Sequence, residues 1–428
     1  MKISNEQIDK LLDELLELHP KRIDLSLDRV CNLLEKLDNP QNKINNIVHI
    51  AGTNGKFSTL KFIQDILKSN SKSTNAYISP HLIRFNERFQ LMDKEISNEE
   101  LYSVLNKVKD FNHSDPITFF EITSSAFFEA ASNSPADYTL LEVGLGGRLD
   151  SSNVITPAIS VITSISRDHQ DFLGDSIEMI AFEKSGIIKS DIPAIIGYQP
   201  YPEAREMLMD QAEYKKAPIF AHGIHWNLTE HNDKLIYEDD HNKFEFDTLI
   251  THNVFQKKNL GLALAAASKL TNIDIKSFVS KNLHNKTYFP GRMEKISDGK
   301  LGSTIASTNE LYLDGSHNED AASNLNETIN QLTNKKLCII LGMINTKDPI
   351  SYLSKFDKID ALTVITIPNE ESAIDSNELY AGLKKYYENV NRADSIQEAL
   401  ANLNNNYEDA RILICGSLYL AGKVLEMN

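Results

Sequence analysis

Short β-branched and aliphatic runs alternate with helical patterns along most of the chain, and that alternation leaves few folds open. Strand-like runs lie at Ile47–Ala51, Tyr138–Val143, Ile159–Ile165 and Pro193–Gly197, with helical spacing through Thr59–Lys68 and Ile122–Ala131. Continuous apolar strands separated by helix-length segments predict a parallel sheet covered on both faces. Residues 217–250 break the rhythm. There Trp226-Asn-Leu-Thr, Lys234-Leu-Ile-Tyr and Lys243-Phe-Glu-Phe alternate around polar turns, which predicts a small antiparallel section. An Ala- and Leu-rich helix is expected from about Asn259 to Leu270. After Pro290-Gly291 the rhythm restarts, with strands expected at Leu311–Asp314, Leu337–Leu341, Ala361–Ile367 and Arg411–Cys415. The expected architecture is therefore α/β throughout, with a parallel-sheet domain over 1–292 and a smaller Rossmann-like α/β domain over 293–428. A length of 428 residues suits two domains.

Charge and composition narrow the function classes. With 44 Lys and Arg against 60 Asp and Glu, the formal net charge is −16, which argues against nucleic-acid binding by bulk charge. A small anionic substrate needs only a local positive pocket and stays open. Near the N-terminus, Ile8, Leu11, Leu12, Leu15 and Leu16 fall at helical spacing, and carboxylates interrupt them, so no secretory leader is expected. No apolar run approaches the ~20 residues that span a bilayer. Cys31, Cys338 and Cys415 are odd in number and widely spaced, which predicts buried free thiols in a reducing cytoplasm.

Gly52-Thr-Asn-Gly-Lys56-Phe-Ser58 carries the clearest chemistry. It differs from a Walker A loop in having two residues, not four, between its glycines. The strand pattern Ile47-Val-His-Ile-Ala51 precedes it, and Leu60, Ile63, Ile66 and Leu67 form a helical stripe after it. A strand, a glycine turn and a helix N-terminus aim successive N–H groups at one point, which suits phosphate oxygens. Lys56 would then neutralise phosphate charge and the Ser58 hydroxyl would ligate Mg²⁺. Phe57 is large for such a loop, so its side chain is expected to turn away from the nucleotide or to pack beneath the helix. A second cluster, Gly144-Leu-Gly-Gly-Arg148-Leu-Asp150, has Leu149 at the third glycine position of a dinucleotide fingerprint, and so does not predict NAD binding.

Glu142 and His169 follow strands and map with Lys56 to the C-terminal edge of the sheet, where open α/β sheets bind ligands. A carboxylate, a hydroxyl and an imidazole can hold Mg²⁺ beside phosphates. His222 and His225, near Glu238-Asp-Asp240 and His241, are a weaker metal pattern, read here as exposed hairpin. There is no Gly-x-Ser-x-Gly elbow and no cysteine in a nucleophile context.

The ordered motifs resemble those of the bacterial dihydrofolate synthase / folylpolyglutamate synthase branch of the Mur ligases, from about residue 20 to the end. They are Ile23-Asp-Leu-Ser-Leu-Asp-Arg29, Ala51-Gly-Thr-Asn-Gly-Lys56, Tyr77-Ile-Ser-Pro-His-Leu82 with Arg84-Phe-Asn-Glu-Arg88, Phe119-Phe-Glu121 and Leu141-Glu-Val-Gly-Leu-Gly-Gly-Arg-Leu-Asp150. Asp168-His169, Glu183-Lys184-Ser-Gly-Ile187, Pro290-Gly-Arg292, Asp314-Gly-Ser-His-Asn318 and Gly342-Met-Ile-Asn-Thr-Lys-Asp348 follow in order. The family usually carries a small residue where Phe57 stands, and often Ala at Ser185 and Ser316.

The resemblance implies an ATP-dependent amide ligase, cytoplasmic and monomeric, with small-molecule substrates and neither nucleic acid nor membrane as partner. ATP would contact Gly52, Thr53, Asn54, Gly55, Lys56, Phe57, Ser58, Asn259, Arg292 and Asp314. Ser58, Ser79, Glu142, His169 and Lys184 would surround one or two Mg²⁺ ions, with Lys184 carboxylated to a carbamate. Lys56, Lys184 and His317 are the implied catalytic residues. Arg22, Ile23, Asp24, Leu25, Phe119, Phe120, Glu121, Asp150, Ser151 and Ser152 would contact the pterin of dihydropteroate or of reduced folates. The second domain would close an active-site cleft over the first. A positive cleft of Lys56, Arg84, Arg148, Arg292, His317 and Mg²⁺ is expected to offset the anionic substrates.

The implied reaction adds L-glutamate through an acyl phosphate, so no side-chain nucleophile is required. Three other readings stay open at this point: a monofunctional folylpolyglutamate synthase, a muramyl ligase, and a nucleotide-dependent switch. Only 51 residues precede Gly52, too few for the UDP-binding domain of a muramyl ligase. The second α/β domain disfavours the switch.

Overall fold

The structure, a computed structural model, describes residues 3–21, 23–247, 253–282 and 287–428. It divides into two compact units, Met1–Thr251 with Gln256–Thr287, and His252–Phe255 with Tyr288–Asn428. The boundary falls a few residues before the expected 292/293 division, so Arg292 belongs with the second unit.

The first unit is built on eight strands: β1 Ile47–Ala51, β2 Thr74–Tyr77, β3 Phe89–Leu91, β4 Lys94–Glu95, β5 Tyr138–Glu142, β6 Ile159–Ile162, β7 Ala194–Ile196 and β8 Ile219–Ala221. Their order is β4-β3-β2-β5-β1-β6-β7-β8. The six strands from β2 to β8 in that order run parallel, and β3 and β4 add an antiparallel edge. β1 and β5 are buried at every position, as the continuous apolar runs required. β1 lies between β5 and β6, so the loops that leave these three strands meet at one edge of the sheet.

Helices in this unit are α1 Asn5–Leu16, α2 Asp28–Lys36, α3 Lys56–Ser69, α4 Asn98–Asn112, α5 Phe119–Ser132, α6 Gln170–Leu173, α7 Ile177–Ser185, α8 Pro202–Tyr214, α9 Val254–Ser268 and α10 Ile275–Asn282. Leu11 and Leu15 of α1, Leu33 and Leu34 of α2, Leu101 and Leu105 of α4, and Phe127 and Phe128 of α5 form one core with Tyr77 and Leu141 of the sheet. A second core joins Ile180 and Ala181 of α7 and Leu208 of α8 to Ala51, Ile162 and Ile196. Burying a side chain of this size contributes ~1.5–3 kcal/mol. α9 begins at Val254, earlier than the Ala-rich pattern alone indicates, and ends at Ser268. Cys31 corrects the expectation of buried thiols: it is exposed on α2, whereas Cys338 and Cys415 are buried.

The expected antiparallel section is present as β9 Trp226–His231, β10 Lys234–Asp239 and β11 Lys243–Asp247, in the order β11-β10-β9. Its polar residues face outward and pair locally, as Lys243 does with Glu238 at 2.9 Å. His225 Nδ1 accepts from the Ala221 amide at 3.1 Å, and His222 packs its ring on Trp226 at 4.9 Å. Residues 248–250 of the section expected over 217–250 lie outside the described residues.

The second unit has β12 Glu294–Lys295, β13 Glu310–Leu313, β14 Lys336–Leu341, β15 Ala361–Val364, β16 Val390–Arg392 and β17 Ala410–Cys415. The order is β12-β13-β17-β14-β15-β16, all parallel except β12. Leu325, Ile339, Leu341, Leu353, Leu362 and Leu413 lie in its core. Among the described residues no helix is long and apolar enough to cross a membrane.

Candidate active site

The turn after β1 is shaped by close approach. Gly52 has φ +149°, and a Cβ there would lie 1.8 Å from Thr163 Oγ1, so no other residue fits without displacing the strand end beyond β6. Gly55, at φ +90°, is the N-cap of α3. It offers no side-chain cap, whereas Ser4, Ser97 and Thr118 cap α1, α4 and α5 through their hydroxyls. The first-turn N–H groups of α3, at the positive end of its dipole, are left to a ligand. Thr53 Oγ1 donates to Ser166 O at 3.1 Å and Asn54 Nδ2 to Ser166 Oγ at 3.2 Å, which fastens the turn to the loop after β6. Phe57 is half-buried.

Two lysines converge beneath this turn. Lys56 Nζ donates to Gly52 O at 3.1 Å and to Thr53 O at 3.3 Å, and Lys184 Nζ donates to the same Gly52 O at 3.0 Å. Lys184 is buried, and burial, with repulsion from Lys56, pushes its pKa down from 10.5 to about 7 against the pull of Asp168 and Asp150. A buried lysine that is neutral much of the time near pH 7 is a nucleophilic amine.

Ser58 and Glu142 are buried near the ends of α3 and β5. Gln256 Nε2 donates to Ser58 Oγ at 3.0 Å, and Asn259 Nδ2 donates to Gln256 Oε1 at 3.1 Å, so α9 reaches the first turn of α3 through side chains. The Ser79 amide donates to Glu142 Oε2 at 3.3 Å, while Ser79 Oγ is buried with no hydrogen-bond partner. An orphaned buried hydroxyl beside a buried carboxylate fits a hard cation, which takes oxygen ligands. His169 differs from the other candidate ligands: it is exposed, in a left-handed conformation at the start of α6. Among the described residues no three His, Cys, Asp or Glu side chains gather as a metal site, so any such site would draw on hydroxyls and Lys184 as well.

The expected pterin segments are brought together by residues that sequence reading did not single out as site residues. Arg29 forms a two-pronged pair with Glu121, Nε to Oε2 and Nη2 to Oε1 both at 3.0 Å. Its Nη1 also donates to Asp24 Oδ2 at 2.9 Å, so Arg29 clamps the Ile23–Leu25 segment to the start of α5. Ser124 Oγ meets Ser151 Oγ at 2.8 Å, which joins α5 to the Asp150–Ser152 turn. Phe120 lies against Gly144, where a Cβ would come within 2.4 Å of the ring, and Phe119 packs edge-on against Phe85 at 5.8 Å. Both phenylalanines are half-buried. Arg22 lies outside the described residues.

Asp150 holds its own turn. Its Oδ2 accepts from the Gly144 and Leu145 amides at 3.1 and 2.9 Å, and its Oδ1 accepts from the Ser152 amide at 2.9 Å and the Ser152 hydroxyl at 2.5 Å. Burial raises its pKa while these hydrogen bonds hold it down. Ser152 Oγ also meets His49 Nε2 at 2.9 Å from the centre of β1. The expected positive cleft needs correction at two positions: Arg84 pairs with Glu95 at 2.7 Å and Arg148 with Glu183 at 2.9 Å, so neither is an open cation.

In the second unit, Asp314 Oδ2 accepts from the Met293 amide at 2.7 Å and its Oδ1 from the Ser316 amide at 2.8 Å. Arg292 lies over Gly315, and Nη1 donates to Gly291 O at 3.0 Å. His317 Nδ1 is 3.0 Å from Gly315 O; a carbonyl only accepts, so that nitrogen carries a proton.

A family model described as the Mur ligase middle domain matches residues 50–273, and one described as the dihydrofolate synthetase C-terminal domain matches residues 299–427. The dihydrofolate synthase/folylpolyglutamate synthase of Bacillus subtilis is 31% identical over 351 residues, covering 78% of this chain and 79% of its own length. The Haemophilus influenzae protein of the same name is 28% identical over 422 residues, covering 95% and 94%. A solved structure of Escherichia coli FolC in complex with DHPP and ADP has a TM-score of 0.86 and 26% identity, covering 98% of this chain and 97% of that one. These matches describe the expected pairing of a parallel-sheet domain with a smaller α/β domain. The chain belongs to the dihydrofolate synthase/folylpolyglutamate synthase family, the ATP-dependent amide-forming ligases of the Mur type.

Proposed function

We propose a division of labour for an enzyme that adds L-glutamate to dihydropteroate and to reduced folates with ATP. The observation that carries it is the convergence of Lys56 and Lys184 on Gly52 O beneath an uncapped helix N-terminus. The α3 amides and Lys56 take the triphosphate. A substrate carboxylate oxygen attacks the γ-phosphorus, the bond to ADP breaks, and an acyl phosphate forms. The glutamate amine then attacks the carbonyl carbon, phosphate leaves and a proton goes to solvent. Positioning and charge stabilisation do the catalysis, and no side chain needs to attack the substrate.

Ser58, Ser79, Glu142 and His169 are the proposed holders of Mg²⁺, supported by the unpartnered Ser79 hydroxyl beside Glu142. A bound cation would neutralise phosphate charge as it shifts. Lys184 joins them if its neutral amine adds to CO₂, forming an N–C bond and releasing a proton, because the carbamate is an anionic oxygen ligand. Mass spectrometry of the intact protein would find one CO₂ that is lost on acidification; an unmodified Lys184 at saturating bicarbonate counts against this step. Phe119, Phe120 and the segments joined by Arg29 and Ser124 are proposed to hold the pterin. Arg292, Asp314, Asn259 and His317 are proposed nucleotide contacts, with His317 at the reacting phosphate. The test is ADP formation that requires ATP, glutamate and an acceptor together, run with dihydropteroate and with a reduced folate. Turnover with the folate alone would support the monofunctional reading.

A further inference from the structure

The proposed chemistry uses Ser58 and Asn259 but gives no task to the residue between them. We infer that Gln256 is a positioning residue that couples the cation end of the nucleotide site, at Ser58, to the nucleotide contact at Asn259; this rests on the ATP reading above. Gln256 is 2% exposed, so both ends of its amide must find partners in the protein. They do: Nε2 donates to Ser58 Oγ at 3.0 Å and Oε1 accepts from Asn259 Nδ2 at 3.1 Å.

Each bond removes a freedom that ligand binding would otherwise have to remove. A serine hydroxyl has three staggered rotamers and two lone pairs. Holding one lone pair toward Gln256 leaves the other for a cation, in one direction. Asn259 gives its amide nitrogen to Gln256, which turns its Oδ1 away from Gln256 as an acceptor for a ligand donor. Among the described residues no other group bonds the Asn259 side chain. Asn259 lies on α9 and Ser58 on α3, 198 residues from Gln256 in sequence, so one planar amide spans two elements. It cannot rotate to suit one end without releasing the other. A ligand that orders either end therefore favours binding at the other, and by linkage the effect is reciprocal.

The experiment measures ADP affinity by calorimetry with and without Mg²⁺ in wild type and in Gln256→Met, which keeps the side-chain volume and removes both hydrogen bonds. We expect the factor by which Mg²⁺ tightens ADP to fall about tenfold, the equivalent of ~1.4 kcal/mol. The KM for ATP should rise by a similar factor while the KM for dihydropteroate stays within about twofold. Circular dichroism and the melting temperature confirm folding. If the Met variant does not fold, Gln256→Asn, which keeps the amide but is too short to bridge both partners, replaces it with the same expectation. A folded variant with wild-type coupling overturns the inference, and so does an equal loss for every substrate, which marks a purely structural role. Wild-type protein that binds no ADP at all overturns the ATP reading instead.

Discussion

The two glycine turns of the first unit are neighbours, since β1 pairs in parallel with β5, yet they are held in opposite ways. The turn after β5 contains its own anion: Asp150 takes the Gly144 and Leu145 amides. The turn after β1 gathers cations instead: Lys56 at the start of α3 and Lys184 from α7 both donate to Gly52 O. Similar glycine spacing thus yields one closed turn that shapes a wall and one open turn whose helix amides await an external anion. Glycine content alone does not make a phosphate site; what occupies the amides does.

The strongest way to break this contrast is Lys56→Ala. Removing the cation from the open turn should lower glutamate-dependent ADP formation by about 10²–10³ or more, the scale of losing one charge-stabilising group. Near-normal turnover would remove the phosphate assignment.

The matching change in the closed turn is Asp150→Ala. It leaves two part-buried backbone amides and the buried Ser152 without their acceptor, so we expect a stability loss of about 2–4 kcal/mol in urea unfolding. The KM for dihydropteroate should rise with little change in the KM for ATP; a larger effect on ATP would mean the turns are not separate in function.

His49, in the middle of β1, reaches the closed turn through Ser152 and supplies a pH test. Burial, with the charge of Lys189, lowers its pKa from 6.5 to about 3. The unfolded chain therefore binds a proton that the folded chain refuses. The stabilisation is fully present above about pH 6.5 and is lost as pH falls toward 3, at up to ~1.4 kcal/mol per pH unit. His49→Leu should flatten the acid limb of the melting curve across that window. An unchanged slope would show that other groups set it.

Arg29→Lys is the mildest perturbation. A lysine cannot reproduce the two-pronged contact with Glu121 while also holding Asp24, so the KM for dihydropteroate should rise severalfold with kcat nearly kept. A change confined to the KM for ATP would contradict the placement of this clamp.

Much of the central sheet was legible because its strands are buried on both faces. Ile47–Ala51 is a strand of the expected bounds, and Tyr138–Glu142 differs from expectation by one residue. The edge strands Phe89–Leu91 and Lys94–Glu95 were not legible, because short, partly exposed strands carry no long apolar run. The open glycine turn was legible from its setting between strand and helix. The residues that assemble the site were not. Arg29 meets Glu121 across 92 positions, His49 meets Ser152 across 103 and Gln256 meets Ser58 across 198. Each is an unremarkable polar residue locally, and only the fold chooses its partner. Arg84 and Arg148 erred the other way: they are cations by sequence, but each has a carboxylate partner that spacing does not reveal.

The most direct test of the account is ADP release from the purified protein with ATP and Mg²⁺, adding dihydropteroate and L-glutamate singly and then together. The account predicts sustained ADP release only when both are present, with one glutamate joined to the acceptor for each ADP formed. Sustained release without glutamate, or no release with dihydropteroate and with reduced folate alike, would contradict it.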